Sequence, residues 1–132
     1  VTRAHFYKGL VLAANNKDEE AKKELALAEE MDAKYSTLFS EDKRSMVMLY
    51  TSWGMIEKVA ELAIKNINNQ AAFPMERKDF ENSLRYYFLL HNAQNSIKIA
   101  EFLSQYEDLK SDMAIIINLI KNENWKMIDN LD

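Results

Sequence analysis

Residues that interrupt regular structure are almost absent from this chain. Two glycines, Gly9 and Gly54, and one proline, Pro74, occur in 132 residues. An all-β domain needs turn residues about every 8–12 positions, and this chain cannot supply them. Abundant Ala, Leu, Glu and Lys favour helix instead. The sequence therefore predicts an all-α protein. Hydrophobic residues make up 48% and charged residues 29%, the balance of a globular rather than a disordered chain. The length suits one domain, long enough to bury a continuous core without disulfide or metal.

Apolar residues recur at helical spacing along most of the chain. A first helix is expected over residues 3–14. A second carries Ala21, Leu25 and Ala28 on one side, with Asp18 as its cap and Glu19 and Glu20 in its first turn, where the helix dipole favours negative charge. Ser40 is the expected cap of a third helix with Met46, Leu49, Tyr50 and Trp53 along one stripe. The fourth places Ile56, Val59, Ala60, Ala63 and Ile67 on one face. Pro74 suits the first turn of the fifth, which reaches about His91 and is apolar on most sides over its second half. Such a helix is expected to be surrounded by others. A sixth helix, capped by Asn95, carries Ile97, Ile99, Ala100 and Leu103. The seventh, over 109–121, turns Met113, Ile116, Ile117 and Ile120 inward. An eighth, short helix would hold Trp125, Ile128 and Leu131 on one side.

Helix stops divide these segments into pairs. They fall at Asn16, Gly54, Asn92 and Asn122, at intervals of roughly 38, 38 and 30 residues, and a helix pair recurring at such a period is the signature of a solenoid. Residues of the left-handed type, Asn and Gly, suit such stops. The expected organisation is one domain of four pairs, at about 2–33, 40–69, 74–107 and 109–131. A single pair cannot cover its own apolar face, so neighbours stack to make the core.

Charge and chemistry narrow the function classes. Formal net charge is −4 with both signs interspersed, and no basic stripe for nucleic acid is present. Lys22-Lys23 and Lys43-Arg44 read as solvated faces flanked by acids. Cysteine is absent, which removes thiol catalysis and cysteine–zinc sites. The longest apolar run, 113–117, is far shorter than a membrane span. His5 and His91 lie in different pairs with no second ligand at helical spacing. The acid pairs Glu19-Glu20, Glu29-Glu30 and Glu41-Asp42 sit where capping and solvation account for them. Two isolated glycines exclude a phosphate loop. No metal, cofactor or catalytic residue is expected.

The first pair resembles the tetratricopeptide (TPR) family, through Phe6-Tyr7-Lys8-Gly9-Leu10, Asn16 to Ala21, Leu25 and Ala28. The resemblance implies that Gly9 lets the second helix approach closely, with Ala21 and Ala28 as the small residues opposite. The second pair is similar through Tyr50, Gly54, Glu57 to Ala60 and Ala63, with Val47 where the first pair has glycine. The third, with Tyr86, Asn92 and Ile97, departs further, and the fourth keeps little beyond Asn122. Ala33 stands where the family has a proline, and the 38-residue interval exceeds the roughly 34 of a standard TPR. The lysine and asparagine clamp of chaperone-binding members is not reproduced.

The resemblance further implies a concave groove lined by the first helix of each pair. Arg3, Phe6 and Leu10 would come from the first pair, Arg44, Met48 and Thr51 from the second, and Asn82, Tyr86 and Leu89 from the third. Met48 lies off the Met46–Leu49–Trp53 stripe, which is why it, and not Met46, joins this set. Arg and Tyr are the residue types that dominate binding hot spots. The expected partner-binding residues are Arg3, Phe6, Arg44, Met48, Asn82 and Tyr86, and the expected function is a non-catalytic scaffold for a peptide or partner protein. Two alternatives stand beside it. One is an accessory tail of a larger bacterial enzyme of surface-polysaccharide assembly, in keeping with Val1 at the head, an incomplete last pair and an Asn/Lys/Ile-rich composition. The other is a small all-helical hydrolase or ligand binder. Dimerisation through the C-terminal end is a further expectation. Cytoplasm and periplasm are both compatible with the sequence.

Overall fold

The computed structural model describes residues 3–70 and 73–125. Among them are seven α-helices and no strand: α1 (Ala4–Ala14), α2 (Asp18–Tyr35), α3 (Ser40–Ser52), α4 (Ile56–Ile67), α5 (Arg77–Leu89), α6 (Ala93–Leu103) and α7 (Lys110–Lys121). The protein is all-α. The eighth helix expected through Ile128 and Leu131 lies outside the described residues. The chain falls into two compact units, Val1–Met46 and Val47–Asp132, with the boundary inside α3.

One turn recurs along the chain. Asn16, Gly54, His91 and Glu123 each take positive φ, between 53° and 69°. In each case the next residue donates its N–H five residues back: Lys17 to Leu12 at 2.9 Å, Met55 to Tyr50 at 2.9 Å, Asn92 to Tyr87 at 3.0 Å and Asn124 to Leu119 at 2.9 Å. The left-handed residue itself donates three residues back. This is the Schellman termination, which satisfies carbonyls that a helix end leaves open. Asn69 closes α4 in the same way, with Gln70 donating to Lys65 at 2.8 Å. The stops read at Asn16 and Gly54 are the left-handed residues. Those read at Asn92 and Asn122 are displaced by one, onto His91 and Glu123.

Several caps also differ from expectation. Asn92, not Asn95, is the N-cap of α6: its side-chain oxygen accepts from Asn95 N–H at 3.0 Å. Ser40 and Asp18 are the first residues inside α3 and α2 rather than their caps. Pro74 precedes α5, whose first turn is held by Asp79 accepting from Glu76 N–H at 2.8 Å. Each segment holds more than one side chain able to cap, and competition among them decides the boundary.

In the first unit α1 packs on α2. Phe6, Ala21, Leu25 and Ala28 are buried between them. Gly9 is the point of closest approach: a Cβ there would stand 2.7 Å from Leu25 Cδ2 and 3.0 Å from Leu25 Cγ. The link from α2 to α3 is organised by two carboxylates. Asp32 accepts from Leu38 N–H at 2.8 Å and pairs with Lys43 at 3.2 Å. Asp42 accepts from Phe39 N–H at 2.9 Å and takes both Nε and Nη2 of Arg3, at 2.9 and 2.6 Å. Lys43 is therefore a partner in a half-buried ion pair and not a purely solvated charge.

In the second unit α4 packs against both α5 and α6, α5 against α6, and α6 against α7. Ala60, Ala63, Phe80, Leu84, Tyr87, Ile99, Ala100, Leu103 and Met113 form one apolar cluster. Each large apolar side chain removed from water in this way contributes about 1.5–3 kcal/mol. Phe80 and Phe102 meet at 4.3 Å between ring centroids. The α4–α5 connection is closed by Asn66, which donates to the Phe73 carbonyl at 2.7 Å and accepts from Phe73 N–H at 2.9 Å. Helix α5 is buried along Phe80, Leu84 and Tyr87, yet its end carries Leu89 and Leu90 at 72% and 57% exposure. The all-round apolar character of its second half thus reflects one buried stripe and an exposed last turn.

Candidate functional site

Of the residues expected from the first helices, Met48, Thr51, Asn82, Tyr86 and Leu89 fall in the second unit. On α5, Asn82, Tyr86 and Leu89 stand at i, i+4 and i+7 and so share one side. Asn82 and Leu89 are exposed and Tyr86 is half-buried. On α3, Met48 and Thr51 are both exposed, one turn apart. Thr51 and Asn82 line a common crevice with Ile56, Val59, Asp79 and Ser83, of about 40 Å³, room for roughly three waters by the usual criterion of roughly 10–15 Å³ each. Its floor is rigid. Ser83 is buried and donates to the Asp79 carbonyl at 2.7 Å, while Asp79 is fixed by its bond to Glu76 N–H.

Tyr86 gives this side its chemical character. Its ring lies edge-on to Tyr87 at 5.3 Å. Burial pushes the Tyr86 phenol above its ordinary value, and the carboxylates of Glu57 and Glu61 raise it further. The phenol is a neutral hydrogen-bonding group on a partly apolar surface. Met48 adds a flexible, polarisable side chain at 57% exposure, the kind that adapts to more than one surface.

The residues expected from the first unit are placed differently. Phe6 is 2% exposed and belongs to the α1–α2 core, so it is not on a contact surface as expected. Its neighbour Tyr7 is exposed instead. Arg3 is held by Asp42 and flanked by the rings of Tyr7 and Phe39, 4.7 and 4.4 Å from its guanidinium carbon. The Asp42 hydrogen bond keeps the guanidinium firmly charged. Arg44 is half-buried and engaged with neighbours. Nothing in the sequence signals the Arg3–Asp42 link, because the two residues are 39 positions apart.

Both histidines have structural partners. His5 Nδ1 lies 2.6 Å from Glu24 Oε2, and Lys8 approaches the other oxygen at 3.2 Å. These bonds hold the Glu24 carboxyl below its usual range. His91 stacks on Trp125 with centroids 4.7 Å apart and ring planes 10° apart. Among the described residues no three His, Cys, Asp or Glu side chains converge in a way that could hold a metal ion. None of the described helices is long and apolar enough to cross a membrane. No family model matches the chain, and neither the curated proteins nor the solved structures contain a significant match to it.

Proposed function

We propose that this chain is a non-catalytic interaction module, a TPR-like stack of helix hairpins that holds a peptide or partner protein. The observation that carries the proposal is the side of the second unit formed by α3 and α5. There Thr51 and Asn82 line a crevice with Asp79 and Ser83, while Met48 lies one turn from Thr51 on α3 and Tyr86 and Leu89 share the side of α5 that carries Asn82. A rigid floor under adaptable side chains lowers the ordering cost of binding. The hairpin reading is supported by the turn repeated at Asn16, Gly54, His91 and Glu123 and by α4 packing on both members of the following pair.

Peptides selected from a random displayed library on the immobilised chain test this function. Selected sequences should lose at least about tenfold in affinity on Asn82→Arg or Met48→Glu, a typical cost of more than 1 kcal/mol for an interface contact. Lys23→Ala, on an exposed face of α2, should leave binding unchanged. Peptides that bind all three variants as well as the parent chain would place the contact elsewhere and end the proposal.

A further inference from the structure

A second surface lies on the other part of the same unit. Helices α6 and α7, joined by residues 104–109, leave between them an open groove of about 620 Å³, lined by Glu101 from α6 and by Ala114, Ile115, Ile117, Asn118 and Lys121 from α7. Ile115 is 57% exposed. Ala114 and Asn118 beside it are exposed as well, and Ile117 is half-buried below them. A bare isoleucine next to an alanine leaves space for another helix to approach closely, since interaxial distance follows the size of the side chains at the contact.

We propose that this groove receives the same groove of a second copy of the chain, in a two-fold dimer. The argument is its charge pattern. A short link makes α6 and α7 antiparallel neighbours, so Glu101, near the end of α6, stands by the start of α7. Lys121 stands at the far end of α7, two helical turns or about 10.5 Å beyond Ala114. The groove thus has an acid at one end, a base at the other and apolar groups between. An isologous interface brings each residue i against a residue j, and j against i. A two-fold axis through the Ala114–Asn118 region places Glu101 of each copy against Lys121 of the other and buries Ile115 twice. A partner of uniform charge would match only one end. The chain's net charge of −4 opposes unspecific self-association, so pairing depends on this local match. A contact confined to one helix-length groove is small, which makes the dimer reversible and concentration-dependent.

This surface is distinct from the α3–α5 side, so either proposal can fail alone. Sedimentation of the chain over a concentration series tests it, with circular dichroism to confirm that each variant is folded. A monomer–dimer equilibrium is expected, abolished by Ile115→Glu. Glu101→Lys and Lys121→Glu should each weaken dimerisation roughly tenfold or more, because each sets like charges opposite one another. The double variant Glu101→Lys/Lys121→Glu restores opposite signs and should recover most of the parent affinity. A chain that stays monomeric at high concentration overturns the proposal. So does a dimer indifferent to Ile115→Glu, or a double variant as weak as the two single losses combined.

Discussion

Gly9→Ala separates two effects that act in opposite directions at one position. Gly9 lies inside α1, where alanine is favoured over glycine by about 1 kcal/mol. Against that, the added Cβ would stand 2.7 Å from Leu25 Cδ2, 3.0 Å from Leu25 Cγ and 3.5 Å from the Ala21 carbonyl oxygen. Carbon atoms in good contact are about 3.5–4.0 Å apart. Relief therefore requires a shift of several tenths of an ångström, and it must move Cγ as well as the methyl tip. Leu25 is fully buried, so its surroundings must move with it. Overpacking of this kind costs about 1–3 kcal/mol. The net expectation is a loss of about 1 kcal/mol, within a range of roughly 0–2. Urea unfolding followed by helical circular dichroism measures it, provided the dependence on denaturant is unchanged. Leu25→Ala alone should cost about 2–5 kcal/mol. In that background the new Cβ meets no leucine, and Gly9→Ala should become stabilising by up to about 1 kcal/mol. The sign reversal is the decisive result. If Gly9→Ala stabilises both backgrounds, or destabilises both equally, the close approach of α1 and α2 is not what position 9 requires.

Asn66→Ala should destabilise the second unit by about 1–3 kcal/mol, since two half-buried bonds to Phe73 are lost together; hydrogen exchange at the Phe73 amide reports the loosening directly. Glu123→Gly should stabilise the chain by up to roughly 1 kcal/mol in thermal unfolding, because glycine takes the left-handed conformation that costs other residues about 1–2 kcal/mol. The Asp108 carboxyl is held below its ordinary value chiefly by its hydrogen bonds from Arg77. A depressed folded pKa gives stability that is present above the unfolded value and lost as pH falls through the folded one. Arg77→Met should therefore narrow the stability difference between neutral and acid pH and return the Asp108 titration, followed by carboxyl-carbon NMR, towards the usual carboxylate range. An Asp108 titration unmoved by that substitution would contradict the pairing.

The helices were legible because their apolar residues repeat with the helical period, and the two most regular turns because Asn16 and Gly54 are residue types that tolerate positive φ. Met46 and Met48 also separated correctly, into 0% and 57% exposure, since one lies on the apolar stripe and the other off it. The caps were less legible. Asn92 and Asn95 are equally able to accept from a helix end, and only the chain path selects Asn92. Phe6 and Tyr7 are adjacent aromatics, and their assignment to core or surface depends on how α1 rotates to bring Gly9 against Leu25. The bonds joining Arg3 to Asp42 and Arg77 to Asp108 are set by tertiary structure alone, as charged residues at such separations carry no local pattern. On the candidate surface, a groove shared by Thr51 and Asn82 was implied only by the family resemblance. Its floor, made by Asp79 and Ser83, was not, because neither residue type marks burial in a sequence.

The recurring turn has a consequence for how this chain tolerates change in length. Each bend at Asn16, Gly54, His91 and Glu123 is fixed by bonds among six consecutive residues, so one added or deleted residue there would rotate the following helix by about 100° and swing its oily stripe towards water. In the link before α5, Phe73 is held by two bonds to the Asn66 side chain, and residues inserted before Phe73 would leave both bonds and the helices they join intact. Length variation among relatives of this chain is therefore expected to concentrate in that link and to spare the bends.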